Sequence, residues 1–123
     1  MNTLALQARG ISHRYGALEA LQDISFELPA GTRCGLIGPD GAGKSSLLGL
    51  IAGVKRLQQG ELDVLGGPIR KRSHRSSLYP RIAFMPQGLG GNLYPDLSIR
   101  ENIRFFATLF GLSRSECEAR MRT

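Results

Sequence analysis

Eight residues limit this chain more than any others. They are Gly38, Pro39, Asp40, Gly41, Ala42, Gly43, Lys44 and Ser45, and they fit G-x-x-x-x-G-K-[ST] at every fixed position. An apolar run, TRCGLIG (32–38), precedes them and reads as a short strand buried on both faces. KSSLLGLIAGVKRL (44–57) follows, with Leu47, Leu48, Leu50, Ile51 and Val54 at helical spacing. Strand, glycine loop and helix in that order confine the chain to an α/β arrangement. Side chains on Gly41 or Gly43 would keep anionic oxygens away from the main chain, and the first helical amides have no partner within the helix. Lys44 then supplies an ammonium group for the outer phosphates and Ser45 a hydroxyl for Mg²⁺, while Ser46 is a candidate donor to the α-phosphate. An ordinary strand-to-helix turn explains one or two of the glycines, but not a lysine and a serine in register. Residues 38–46 therefore read as a cradle for a nucleoside triphosphate.

The 123 residues suffice for one domain, and 41% apolar with 21% charged residues suits a globular chain. The longest apolar runs, Leu47–Val54 and Phe105–Leu112, fall well short of the roughly 20 residues that span a bilayer. MNTLALQARG lacks the build of a secretory signal, so a cytoplasmic location is expected. Cys34 and Cys117 fit no metal or redox spacing, and Cys34, inside an apolar run, is expected to be a small buried hydrophobe. Of the net charge of +6, part clusters at Arg70, Lys71, Arg72, Arg75 and Arg81. Such a run reads as a solvated connection before it reads as a surface for nucleic acid.

Alternation marks strands over 4–9 and around Leu21, Ile24, Phe26 and Leu28, separated by a turn at Tyr15-Gly16 and closed by Pro29-Ala30-Gly31. ELDVLGG (61–67) reads as a strand ending in a Gly-Gly turn, and RIAFMPQ (81–87) as another short strand. Ser98 with Glu101, and Ser113 with Glu116, form two capping boxes that open helices. The first of these helices carries Ile103, Phe106, Leu109 and Phe110 on one side. The second has so little apolar surface that the chain looks cut at its end. His13 and His74 have no partner pattern and receive no chemistry.

Taken in order, these segments resemble the ATP-binding subunits of ABC transporters, over essentially all of the chain. ISHRYGALEALQDISFELPAG is similar to the family's segment in which an aromatic ring stacks on adenine, here Tyr15. LIGPDGAGKSSLLGLIAG resembles its phosphate loop and helix, and Gly60 to Gly66 the strand pair after it. IAFMPQGLGGNLYPDLSIRENIRFFATLFGL resembles the strand, glutamine loop and next helix, which puts Gln87 at the glutamine position as a partner of metal-bound water. The likeness leans toward multidrug-export or ribosome-associated members. It implies a P-loop NTPase fold of the ABC ATPase type with an incomplete sheet. Within 1–123, the core strands and phosphate loop would occupy 1–87, and the glutamine loop and start of the helical subdomain 88–123. It also implies ATP and Mg²⁺ as ligands, Lys44 and Gln87 in catalysis, and Ser45 and Gln87 at the metal. A membrane-spanning subunit and a second ATP-binding domain would be its partners, at the inner face of the membrane.

Hydrolysis in this family uses a carboxylate at the end of a later strand, an LSGGQ-like signature and a switch histidine. The sequence contains no Ser-Gly-Gly triplet and no run of four apolar residues ending in Asp or Glu; Asp63 follows a single leucine. An enzyme of this kind would be incomplete, and its loop helix partly uncovered. The expectation is a marginally stable chain that binds ATP weakly. Two alternatives stay open at this point: a small-molecule kinase using the basic run as a lid, and an RNA- or ribosome-binding fragment.

Overall fold

In a computed structural model, residues 3–86 and 93–123 are described, and the chain divides near Pro86 into two compact units. The first contains β1 (Leu4–Tyr15), β2 (Leu18–Pro29), α1 (Lys44–Ile51), β3 (Gln59–Val64), β4 (Gly67–Pro68), α2 (Arg72–Leu78) and a 3₁₀ turn at Tyr79–Arg81. Its four strands run in the order β2-β1-β3-β4, and every neighbouring pair is antiparallel. The hairpin forms where the sequence places it: Tyr15 pairs with Leu18 across Gly16-Ala17. A second tight turn at Leu65 (φ 48) and Gly66 (φ 90) joins β3 to β4.

One face of this sheet is closed by the helices. Ala8, Ile11, Leu21, Leu62 and Val64 meet Leu47 and Leu50 of α1, Leu57, Ile69, and Leu78 of α2 in a single core. The helical stripe in 44–57 is used only in part, since Leu48 and Val54 stay 48% and 60% exposed. Helix α1 ends in a Schellman motif: Val54 N–H donates to Gly49 C=O at 3.0 Å and Gly53 N–H to Leu50 C=O at 3.2 Å.

Two expected strands are not found. Residues 32–39 and 82–86 form no ladder with any described residue. Ile37 and Met85 are 96% and 89% exposed, and Cys34 is exposed rather than buried. Apolar composition identified these segments as strands, but a strand needs a partner on at least one edge, and the antiparallel sheet offers them none. The basic run also differs from a plain solvated connection. It folds as α2, with the Arg70 and Arg75 guanidinium groups donating to main-chain carbonyls.

In the second unit, α3 (Ile99–Leu109) and α4 (Arg114–Met121) are helices, each opened by the capping box expected of it. Ser98 and Ser113 accept from the Glu101 and Glu116 amides, and both glutamates reach back. Glu118 of α4 accepts from Arg104 at 2.6 Å and Arg100 at 3.0 Å of α3, which ties the pair together.

Candidate functional site

The glycine loop leaves residue 38 and enters α1 at Gly43, whose φ of 94 only glycine adopts easily. A β-carbon there would collide with the Ala20 carbonyl oxygen and stand 2.7 Å from Leu21 Cδ2. The loop is therefore seated directly against β2. Its internal turn is closed by Ala42 N–H donating to Pro39 C=O at 3.2 Å. Among the described residues no side chain caps the start of α1.

Lys44 folds back over this loop rather than outward. Its ammonium group donates to the Gly38 carbonyl and, at 2.7 Å, to the Pro39 carbonyl. Gly38, Pro39, Asp40, Gly41, Ala42, Gly43 and Lys44 thus form one continuous turn with the positive charge at its centre. Ser45 and Ser46 follow in the first turn of α1, Ser46 buried and Ser45 exposed.

Tyr15 reaches the same place from the end of β1. Its hydroxyl lies 2.9 Å from Ser46 Oγ, and the Lys55 ammonium stands 5.1 Å from its ring centroid. His13, buried, packs edge-on against the ring at 4.7 Å, and its Nδ1 has no hydrogen-bond partner among the described residues. Lys55 first, and Ser46 second, draw the Tyr15 phenol below its ordinary pKa by stabilising the phenolate. The sequence pointed to Tyr15 alone. Lys55 was missed because only the fold brings it to the ring, whereas His13, two residues earlier on β1, shares a face with Tyr15 by strand alternation and was legible in the sequence. Gln87 lies outside the described residues. Asp63, considered as a carboxylate for catalysis, sits in β3 beside Arg9 at 3.4 Å.

A glycine loop gripping its own lysine at the start of a helix is the mark of a P-loop nucleotide-binding unit. The family described as ABC transporter matches residues 21–123. The chain is 35% identical over 119 residues to the Nod factor export ATP-binding protein I of Cupriavidus pinatubonensis, covering 97% of this chain and 35% of that protein. It is 36% identical over 115 residues to the linearmycin resistance ATP-binding protein LnrL of Bacillus subtilis, covering 94% and 36%. A solved ATP-binding subunit of an ABC transporter superposes with a TM-score of 0.73 at 29% identity, over 92% of this chain and 45% of that one. The chain belongs to the ABC transporter family, in its ATP-binding domain. It spans about a third of the length of these curated relatives. Among the described residues no helix is long and apolar enough to cross a membrane.

Proposed function

We propose that this chain grips the triphosphate of ATP for an ABC ATPase that drives export. The observation that carries the reading is the Lys44 ammonium, held over its own loop by the Gly38 and Pro39 carbonyls beside the uncapped start of α1. An incoming triphosphate exchanges those neutral carbonyls for anionic oxygens, and each charge-assisted bond so formed contributes about 1.5–3 kcal/mol.

The Ser45 hydroxyl is a donor type that Mg²⁺ accepts alongside water and phosphate oxygens, so the residues present fit the ion. Ser45 would help hold the ion, which when bound would supply positive charge to offset that of the outer phosphates. Gln87 is assigned to the metal-bound water on the resemblance. Tyr15, at the end of β1 and 44% exposed, offers its ring to adenine while its hydroxyl stays beside Ser46. The name of one curated relative, for Nod factor export, supports the direction of transport. On this reading a membrane-spanning subunit and a second ATP-binding domain complete the working assembly, docked at the cytoplasmic face of the membrane.

Titration calorimetry with Mg·ATP tests the assignment. Lys44→Ala should weaken binding by at least about tenfold, the loss expected for one charge-assisted contact. Equal affinity in the two proteins would refute it.

A further inference from the structure

Beyond the C-terminal end of α1 lies a cleft of about 530 Å³ lined by Lys55, Arg56, Arg70 and Arg75, with Gly53 and Ile69 among its walls. Among the described residues no carboxylate lines it, and the Tyr79 ring stands beside Gly53. None of the four cations is in an ion pair among the described residues. On the adjoining strand Glu61 and Asp63 are held by Arg9 at 2.8 and 3.4 Å, and both line a neighbouring hollow with Arg70. We propose that this cleft is a second anion site, distinct from the glycine loop and shaped for a small polyphosphate.

Two of the guanidinium groups are already fixed in place. Arg70 donates to the Leu57 and Gly60 carbonyls, both at 3.1 Å, and Arg75 donates to the Ile69 carbonyl at 2.9 Å and the Arg70 carbonyl at 3.3 Å. Carbonyls set the geometry but carry no net charge, and each guanidinium keeps further N–H donors of its five. Four like charges around one cleft repel one another, and a bound anion is what relieves them. Fixed guanidinium forks match phosphate oxygens two at a time. The cleft's size is that of a small-molecule site. Lys55 stands between this cleft and Tyr15, so Arg56 and Arg75 are the residues that separate the two sites.

The test uses the full chain with inorganic tripolyphosphate as probe. Lys44→Ala first weakens the glycine loop. Because that change does not remove the loop, the cleft is read by calorimetry from the further variants: in that background Arg56→Gln should weaken binding at least about threefold and Arg75→Gln at least about tenfold, the latter for a lost charge-assisted contact. Because Arg75 also anchors α2, the amide spectrum of the Lys44→Ala protein itself is the second reading, with shifts at Gly53, Val54 and Ile69 on adding tripolyphosphate. ATP in the same titration separates a nucleotide tail from a free polyphosphate, and binding of either keeps the site. Loss of all binding in Lys44→Ala would overturn the proposal, as would an Arg56→Gln affinity equal to its parent. So would a glutamate-rich peptide that moves those amides when tripolyphosphate does not, which would make the cleft a dock for an acidic protein segment.

Discussion

At Gly43 the main chain takes φ 94, and a β-carbon would meet the Ala20 carbonyl and Leu21 of β2. Gly41 takes φ 82, yet nothing lies within 4 Å of where its β-carbon would be. Alanine at Gly41 therefore incurs the backbone cost alone, about 1–2 kcal/mol. Alanine at Gly43 adds overpacking against β2, for a total of roughly 2–5 kcal/mol. Urea unfolding of both variants checks this, and a Gly43→Ala no less stable than Gly41→Ala removes the packing argument. In the sequence both glycines had the same explanation, room for phosphate. The second reason at Gly43 depends on where β2 lies, twenty residues back in the chain, and no local pattern carries it. Lys44 was legible for the opposite reason: its partners, Gly38 and Pro39, are in the same motif.

Helices α3 and α4 were legible from their ends, because a capping box joins residues only three apart. Ser98→Ala should cost about 0.5–2 kcal/mol and be felt within the second unit. What the sequence did not reveal is Asn102, 5% exposed inside α3. Its Oδ1 accepts from Tyr94 N–H at 2.8 Å, and its Nδ2 donates to the Tyr94, Leu97 and Ser98 carbonyls at 3.1, 3.2 and 3.0 Å. One amide thus fastens the incoming chain to the first turn. Asn102→Ala strands several main-chain groups at about 1–3 kcal/mol for each that stays dry, so it should exceed Ser98→Ala. Amide exchange across 93–123 compares them.

The same unit carries three carboxyls held below their ordinary range. Glu101 and Glu116 are lowered by the backbone amides of Ser98 and Ser113, and Glu118 by its hydrogen bond to Arg104. A depressed folded pKa contributes stability that is present above the unfolded carboxylate value and is lost as pH falls through the lower, folded one. Exchange in α3 and α4 should therefore speed up as pH drops below the normal carboxylate range, after correction for intrinsic rates. An unchanged corrected rate down to that acid limit would show that the caps do not hold these helices.

For the molecule as a whole, the question is what becomes of apolar segments that the sheet does not use. Of the three strand pairs, β1 with β2 and β3 with β4 are joined by two-residue turns, while β1 and β3 meet across the chain. TRCGLIG and RIAFMPQ find neither kind of partner among the described residues, so both were read correctly as apolar and wrongly as strands, and TRCGLIG wrongly as buried. Their main-chain groups enter no ladder among the described residues, while Ile37 and Met85 face solvent almost fully. Unpaired amides exchange with solvent through local openings of nearly zero free energy, whereas those in a core strand need openings approaching the global unfolding energy. In native-state exchange read by mass spectrometry, 33–37 and 82–85 should label within the shortest time point, while amides around Ala8 and Leu62 stay protected. The Ala8–Leu62 pair is the right reference because both residues are only 2% exposed and face each other across β1 and β3. Protection of 33–37 equal to that of β1 would mean that this segment finds a strand partner in solution, such as a second copy of the chain. A dilution series separates those cases, since pairing between copies fades with concentration and pairing within one chain does not.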